Sequence, residues 1–237
     1  MVYQKKNFHT KRVQGGASRQ YKKKRPVPRK GNKINWGSVA KTAVDTAATV
    51  AKVVSMLNIE KHFLTISASP TNILNGFPYF QLINGLSQGS GAGNRQGQQL
   101  KSTNINLRGK LSCNAGASAG ASQARIMLVH DRQPNGATFA IVDLLENGQV
   151  WSFRTMGYRK RFKVLADKSY QMVLNTANEE HIVDLSAQLD LHTMYNTGNT
   201  GTITDIDTGS LYLIVMSDEV SSGPAFEYQL RYRWIDN

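Results

Sequence analysis

From about residue 60 onward, apolar and polar residues alternate with a period of two. Thr103, Ile105, Leu107 and Leu111 alternate with Asn104, Asn106, Arg108 and Lys110. Val183, Leu185, Ala187, Leu189 and Leu191 alternate with Asp184, Ser186, Gln188, Asp190 and His192. Phe226, Tyr228, Leu230, Tyr232 and Trp234 alternate with Glu227, Gln229, Arg231 and Arg233. Successive side chains of a strand point to opposite faces, so these runs predict antiparallel strands with one face in a core and one in water. Ile126–Val129 and Leu211–Met216 are apolar throughout and predict strands buried on both faces. Further strands are predicted at Phe63–Ser67, Pro78–Ile83, Gln149–Phe153, Phe162–Leu165 and Tyr170–Leu174. Turn residues separate them, among them Pro134-Asn135-Gly136 and Asn147-Gly148. About eight to ten strands with no long helix among them predict two packed sheets, a sandwich or jelly roll.

Upstream the period changes. Trp36, Ala40, Ala43, Ala47, Val50, Val54 and Leu57 recur at spacings of four and three, which places them on one face of a helix. Its Val and Thr content lowers helix propensity, so this segment needs a surface to dock on. A membrane-surface helix fits less well, because the apolar side is mostly Ala and Val.

Charge divides the chain more sharply than hydropathy does. Of 29 Lys and Arg against 16 Asp and Glu, eight Lys and four Arg fall in residues 1–33, which hold no acid. The remaining residues carry 17 basic against 16 acidic side chains. A nearly neutral body therefore bears a tail of charge +12. The tail has almost no aliphatic residues and cannot offset its ordering entropy, so it is expected to be disordered when free. Such a tract binds polyanions by releasing their counterions. The candidate phosphate contacts are Lys5, Lys6, Lys11, Arg12, Arg19, Lys22, Lys23, Lys24, Arg25, Arg29, Lys30 and Lys33, with Tyr3, Phe8 and Tyr21 interleaved for stacking on unpaired bases. Lys22-Lys23-Lys24-Arg25-Pro26 also has the form of a nuclear-import signal. In the body, Arg108, Lys110, Arg231 and Arg233 lie on polar strand faces and are candidate inner-face contacts to nucleic acid, an ordinary solvated face or subunit contact being the competing reading.

Chemistry beyond binding is hard to assemble from these residues. The hydrophobic fraction of 40% suffices for a core, yet no window reaches the roughly 18 apolar residues of a membrane span. The opening residues are basic and polar, without the apolar region of a secretory signal. The one cysteine, Cys113, excludes an internal disulfide and a Cys-based zinc site and fits folding in a reducing place. Gly85-Leu86-Ser87-Gln88-Gly89 matches a nucleophile elbow, but the Gly-rich residues after it cannot begin a helix. None of the five His stands at metal-binding spacing with another. His130-Asp131 reads as a strand-end hydrogen bond rather than half a dyad. Asp205, Asp207, Asp218 and Glu219 offer oxygen ligands for calcium at a subunit contact, without the EF-hand pattern. No nucleophile, base and oxyanion donor come together, so an enzyme is not expected and no cofactor is implied.

A neutral β-sandwich with a basic arm has the parts of a viral coat subunit, and several motifs sharpen the comparison. Leu57-Asn58-Ile59-Glu60-Lys61-His62-Phe63, Leu86-Ser87-Gln88-Gly89, Asn94-Arg95-Gln96-Gly97 and Leu107-Arg108-Gly109 resemble segments of capsid proteins from circular single-stranded DNA viruses that encode a replication initiator (CRESS-DNA viruses). Val129-His130-Asp131-Arg132-Gln133-Pro134-Asn135-Gly136 is the most specific of these segments. Arg161–Lys168 and Tyr232-Arg233-Trp234-Ile235-Asp236 also fit. Those capsids are similar in turn to the satellite tobacco necrosis virus coat.

The resemblance spans residues 57–237 and implies an all-β fold: a single antiparallel eight-stranded jelly roll of two four-stranded sheets. The expected organisation is a basic arm over 1–33, an amphipathic helical linker over 34–58 and a shell domain over 59–237. It further implies a T=1 icosahedral shell of about sixty copies with the arms inside on a single-stranded genome, DNA more than RNA. The partners are then the chain itself, the genome, import factors and a host receptor. The places are the virion and, during assembly, the host nucleus. The alternative is a cellular nucleic-acid-binding or histone-chaperone-like β-sandwich.

Overall fold

A computed structural model describes residues 61–113, 121–173 and 179–236, together with Thr46. The chain divides into two units, Met1–Val50 and Ala51–Asn237. Of the first, Thr46 alone is described, and it is helical. The arm expected over 1–33 and the rest of the helix expected over 36–57 lie outside the described residues.

The described residues of the second unit form nine antiparallel strands. They are β1 (Lys61–Ala68), β2 (Tyr79–Leu82), β3 (Gln99–Ser112), β4 (Ala121–Asp131), β5 (Phe162–Val173), β6 (Glu180–Tyr195), β7 (Ile206–Thr208), β8 (Ser210–Ser217) and β9 (Ala225–Asp236). One short helix, α1 (Ile141–Leu144), lies between β4 and β5. The first sheet has the order β1-β9-β3-β6-β7 and the second β2-β8-β4-β5. Without β7 these are the two interleaved four-stranded sheets of a jelly roll, and β7 is a three-residue addition beside β6.

Most predicted strands fall inside the observed ones; Pro78–Ile83 overruns β2 by one residue at each end, Leu174 lies outside the described residues, and two predictions differ in kind. Phe162–Leu165 and Tyr170–Leu174 were expected as separate strands, whereas one strand runs through Ala166-Asp167-Lys168-Ser169. It continues because Asp167 is held there by Arg125, and because a bulge opposite Leu128/Val129 absorbs one residue. Gln149–Phe153, expected as a strand, forms turns within the β4–β5 connection. Ser152 NH closes onto Gln149 O at 3.0 Å, and a lone bridge joins Leu145 to Arg154.

The apolar faces of the two sheets meet in a core that includes Ile105, Leu107, Leu128, Leu213, Val215, Leu230 and Trp234. A bulge between Ser102 and Asn104 in β3 turns Leu100 and Ser102 to the same side as Ile105 and Leu107. Gly109 makes room for the Phe226 ring, since a Cβ there would lie 2.8 Å from its Cε2 atom.

The second sheet is buried on its other face as well. Residues 132–161 fold back over it, and a second apolar cluster fills the space with Met127, Val129, Phe139, Leu144, Tyr212 and Ile214. Strands β4 and β8 thus send alternate side chains into two different cores, which is why their sequences show no polar face. Phe139 is central, with ring centroids of Phe162, Tyr212 and Phe80 at 4.5, 5.4 and 5.5 Å.

Charged groups pin this covering segment. Arg125 makes a bidentate pair with Asp167, both contacts at 2.8 Å, and its Nη1 donates to Val150 O and Ser152 O at 2.8 Å. Asp131, fully buried, accepts Arg161 Nε and Nη2 at 2.8 and 2.7 Å and Gln133 NH at 3.0 Å. The chain then reverses at Pro134-Asn135-Gly136-Ala137, where Asn135 and Gly136 have φ of 53° and 70° and Ala137 NH donates to Pro134 O. Positive φ at both central positions suits Asn-Gly. The His130-Asp131-Arg132-Gln133-Pro134-Asn135-Gly136 motif is therefore a strand end, a carboxylate anchor and a turn.

A second pin, Arg95, is fully buried with no acid paired to it among the described residues. Its Nε donates to Leu86 O at 3.3 Å, Nη1 to Gly97 O at 2.7 Å and Nη2 to Gly198 O. Its guanidinium carbon lies 4.3 Å over the Tyr195 ring. One side chain thus ties the β2–β3 loop to the loop after β6. Arg95→Ala leaves three carbonyls without donors, so we expect a loss on the order of 3 kcal/mol in chemical denaturation. A midpoint within error of wild type would refute this role.

His130 provides a pH-dependent test. It is buried, neither ring nitrogen has a hydrogen-bond partner, and burial, then Arg132 and Lys163, lower its pKa from 6.5 to about 4. On acidification the unfolded chain takes the proton first. His130 therefore removes up to about 3 kcal/mol of stability between pH 6.5 and 4, and nothing further below that. The stability difference between wild type and His130→Leu should change across this window. A constant difference from pH 7 to pH 4 would contradict the assignment.

Candidate nucleic-acid and assembly surface

With one face of the second sheet in the main core and the other covered, the outward face of the first sheet is the one that no described residue covers. Arg108, Lys110, Arg231 and Arg233 all lie on it, as their strand parity requires. Their electrostatic situations differ. Along the β3–β6 ladder each cation of β3 faces an acid of β6: Lys101 Nζ is 2.6 Å from Asp190, Arg108 Nε 3.7 Å from Asp184, and Lys110 Nζ 2.9 Å from Glu180. The hydrogen bond that Lys110 donates to Glu180 raises the Lys110 pKa, and the one that Asp190 accepts from Lys101 lowers the Asp190 pKa.

Arg231 and Arg233 on β9 make no ion pair with an acid among the described residues. Arg231 Nε donates to Thr65 Oγ1 at 3.4 Å, and its guanidinium carbon lies 5.6 Å from the centroid of Phe63. Arg233 Nη1 donates to Asn104 Oδ1 at 3.1 Å, and that oxygen also accepts Asn106 Nδ2 at 2.6 Å. Phe63 is directly opposite Arg233 in the β1–β9 register and is 55% exposed. A groove of about 360 Å³ crosses β1, β9, β3 and β6, with Thr65, Asn106, Arg231 and Arg233 among its walls and the Arg108–Asp184 pair at its far side. The sequence marks Phe63 only as the start of a strand. Its place beside the two arginines follows from the strand order, which puts β1 next to β9.

The other candidate groups are structural in the described unit. Ser87 Oγ donates to Asn94 Oδ1 at 3.3 Å and no helix follows it. Asp131 makes the expected strand-end hydrogen bonds, whereas His130 makes none. Burial raises the Cys113 pKa, so the thiol is not activated. Asp205 accepts Thr200 Oγ1 and Gly201 NH at 2.8 and 2.7 Å. Burial works against its charge, but hydrogen bonds from Thr200, Gly201 and Thr202 hold its pKa below the ordinary value. Asp218 accepts Ser122 Oγ and Gln123 NH, and Asp207 is exposed on β7. Among the described residues no three His, Cys, Asp or Glu gather as a metal site. Among them, too, no helix is long and apolar enough to cross a membrane. The arm residues Lys5 to Lys33, including Lys22-Lys23-Lys24-Arg25, lie outside the described residues.

A different surface stands on the β4–β5 connection. Trp151, Phe153, Met156 and Tyr158 are 66%, 82%, 66% and 47% exposed. Their backbone is fixed: Glu146 NH donates to Phe153 O at 3.0 Å, Thr155 NH to Leu144 O at 2.9 Å, and Arg125 holds Val150 and Ser152 from below. Large apolar side chains displayed on an ordered backbone mark an interaction surface. Sequence periodicity hides this patch, since Gln149–Phe153 reads as a strand.

Comparison with known proteins adds the family. A family model described as satellite tobacco necrosis virus coat protein matches residues 32–236. No curated protein matches the chain. Among solved structures it is similar to that of infectious bursal disease virus Gx strain, with 9% identity and a TM-score of 0.23 over 75% of this chain. It is also similar to the infectious bursal disease virus VP2 subviral particle, with 8% identity and a TM-score of 0.21 over 75% of this chain. The chain spans 33% of the length of each of those chains. The family match covers the whole jelly roll, and so the chain belongs to the satellite tobacco necrosis virus coat protein family, a family of structural viral coat proteins rather than enzymes.

Proposed function

We propose that this coat protein assembles into a small T=1 icosahedral shell of about sixty copies and packages a single-stranded genome through its basic N-terminal arm. The observation that carries this reading is the division of charge: +12 on the first 33 residues and near neutrality on the rest. About sixty such arms supply on the order of 700 positive charges, comparable to the phosphates of about a thousand nucleotides. A neutral body can approach its copies without the repulsion that a uniformly basic chain would meet. The arm contacts are Lys5, Lys6, Lys11, Arg12, Arg19, Lys22, Lys23, Lys24, Arg25, Arg29, Lys30 and Lys33.

The motif resemblance to CRESS-DNA capsids favours DNA over RNA. It also favours a stage in the host nucleus, reached through import factors that bind Lys22-Lys23-Lys24-Arg25. The displayed Trp151, Phe153 and Met156 supply contacts between copies, where burial of aromatic side chains contributes most of the association energy.

Electron microscopy of the purified full-length protein, with absorbance at 260 and 280 nm on the same fraction, is the direct test. The expected result is uniform shells with a high ratio, whose extracted nucleic acid is digested by a DNase. Particles that stay small when nucleic acid is added at low salt would overturn the reading. Deletion of residues 1–33 should leave the circular dichroism of the jelly roll unchanged and yield shells or subunits with the absorbance ratio of protein alone. Trp151→Ser with Phe153→Ser should cut shell yield at least tenfold while the subunit keeps its denaturation midpoint, because both side chains are exposed in it. Shell yield equal to wild type would remove this loop from the contacts.

A further inference from the structure

The uncovered sheet face is not uniform. Its β3–β6 half is neutralised by three ion pairs, each of a β3 cation with a β6 acid. Its β1–β9 half holds two arginines, Arg231 and Arg233, with no acid paired to either among the described residues. Opposite Arg233 in the register, with the Arg231 guanidinium carbon 5.6 Å from its ring centroid, stands Phe63, an exposed aromatic on a strand whose other outward residues are Lys61, Thr65 and Ser67. Each arginine is oriented by a neighbour, Arg231 by Thr65 and Arg233 by Asn104. Cations held in place around an open aromatic face suit a ligand with both a flat π-surface and negative charges beside it. A base with its flanking phosphates has that form. A duplex does not expose its base faces, so the ligand is unpaired.

We propose that the β1–β9 half of this face is a subsite for single-stranded nucleic acid, in which Phe63 stacks on an unpaired base while Arg231 and Arg233 neutralise the adjoining phosphates. The proposal rests on the coat reading and adds to it a defined contact on the folded body, separate from the unspecific arm. Stacking is indifferent to which base is presented, so the subsite tolerates any sequence.

The test uses the full chain held below its assembly concentration and two fluorescent oligonucleotides of equal length, one of oligothymidylate and one abasic. The arm, with its phosphate contacts and its own aromatics Tyr3, Phe8 and Tyr21, is the same in every variant, so the change in the ratio of the two affinities between wild type and a Phe63 variant reports stacking on Phe63. Phe63→Ala is expected to lower that ratio about five- to a hundredfold and leave the salt dependence unchanged. Phe63→Trp should retain the ratio, which separates stacking from any effect on folding. Replacing Arg231 and Arg233 by Gln should lower the slope of log affinity against log salt by about 1.4. A ratio unchanged in Phe63→Ala overturns the subsite, as does an unchanged slope in the double arginine variant. Shell formation by the wild-type chain is scored separately. Shells with nucleic acid but no change in ratio would sink the subsite and leave the coat reading standing, and absence of shells would sink the coat reading whatever the ratio. If Phe63→Ala blocks shell formation without altering the ratio, the face is a contact between copies and the proposal fails.

Discussion

A sheet that is apolar on both faces must be covered twice, and much of the fold follows from that requirement in β4 and β8. The first cover is the facing sheet, and the second is residues 132–161, laid over Met127, Val129, Tyr212 and Ile214. An irregular segment on an apolar sheet has backbone polar groups to satisfy, and here two arginines meet much of that demand. Arg125 donates to two carbonyls of the segment while Asp167 balances its charge. Arg161 closes the segment's far end on Asp131, which is fully buried. Removing either acid would leave a guanidinium with little solvent and without its hydrogen-bonded carboxylate, a costlier state than losing an exposed pair.

The same covering decides which surfaces remain for function. One sheet face is hidden under the segment, so the other is available to a polar or charged partner. The segment that hides the first face lifts Trp151 and Phe153 into solvent. A coat subunit has two kinds of partner, its own copies and a polyanion. The described unit separates an apolar, aromatic surface on one element from a polar surface with two unpaired arginines on another. Charge segregation in the linear sequence repeats this division on a larger scale, with a basic arm beside a nearly neutral body.

How much of this was legible depended on how local each cause is. Period-two runs located β3, β6 and β9, since side-chain alternation is a property of the strand itself. The apolar runs at 126–129 and 211–216 announced double burial, though not that a single connection supplies the second layer. Thr103 was assigned to the wrong parity because a bulge is invisible to a fixed period. Gln149–Phe153 was expected as a strand, yet it forms turns that put Trp151 and Phe153 in water and Val150 in the second cluster. Arg95 was legible only as part of a family motif, and its reason, three carbonyls from two distant loops, is tertiary. The division of Arg108 and Lys110 from Arg231 and Arg233 was not readable at all, because it depends on which acids stand on the neighbouring strand.

The strand edges bear on a hazard that any abundant β-protein meets. An open edge offers unpaired backbone groups to any chain that can add a strand, and a crowded solution of identical sheets invites it. Here β7 closes one edge with only three residues, and β2, four residues long, is preceded by Pro78. The long edge β5 carries Lys163, Asp167 and Lys168, and so places charge along the line where an added strand would lie. Three of the four sheet edges among the described residues, all but β1, are thereby made poor sites for zipping copies of this chain sheet to sheet into fibres. Growth is left to loops and faces, whose fixed angles let an assembly close on itself.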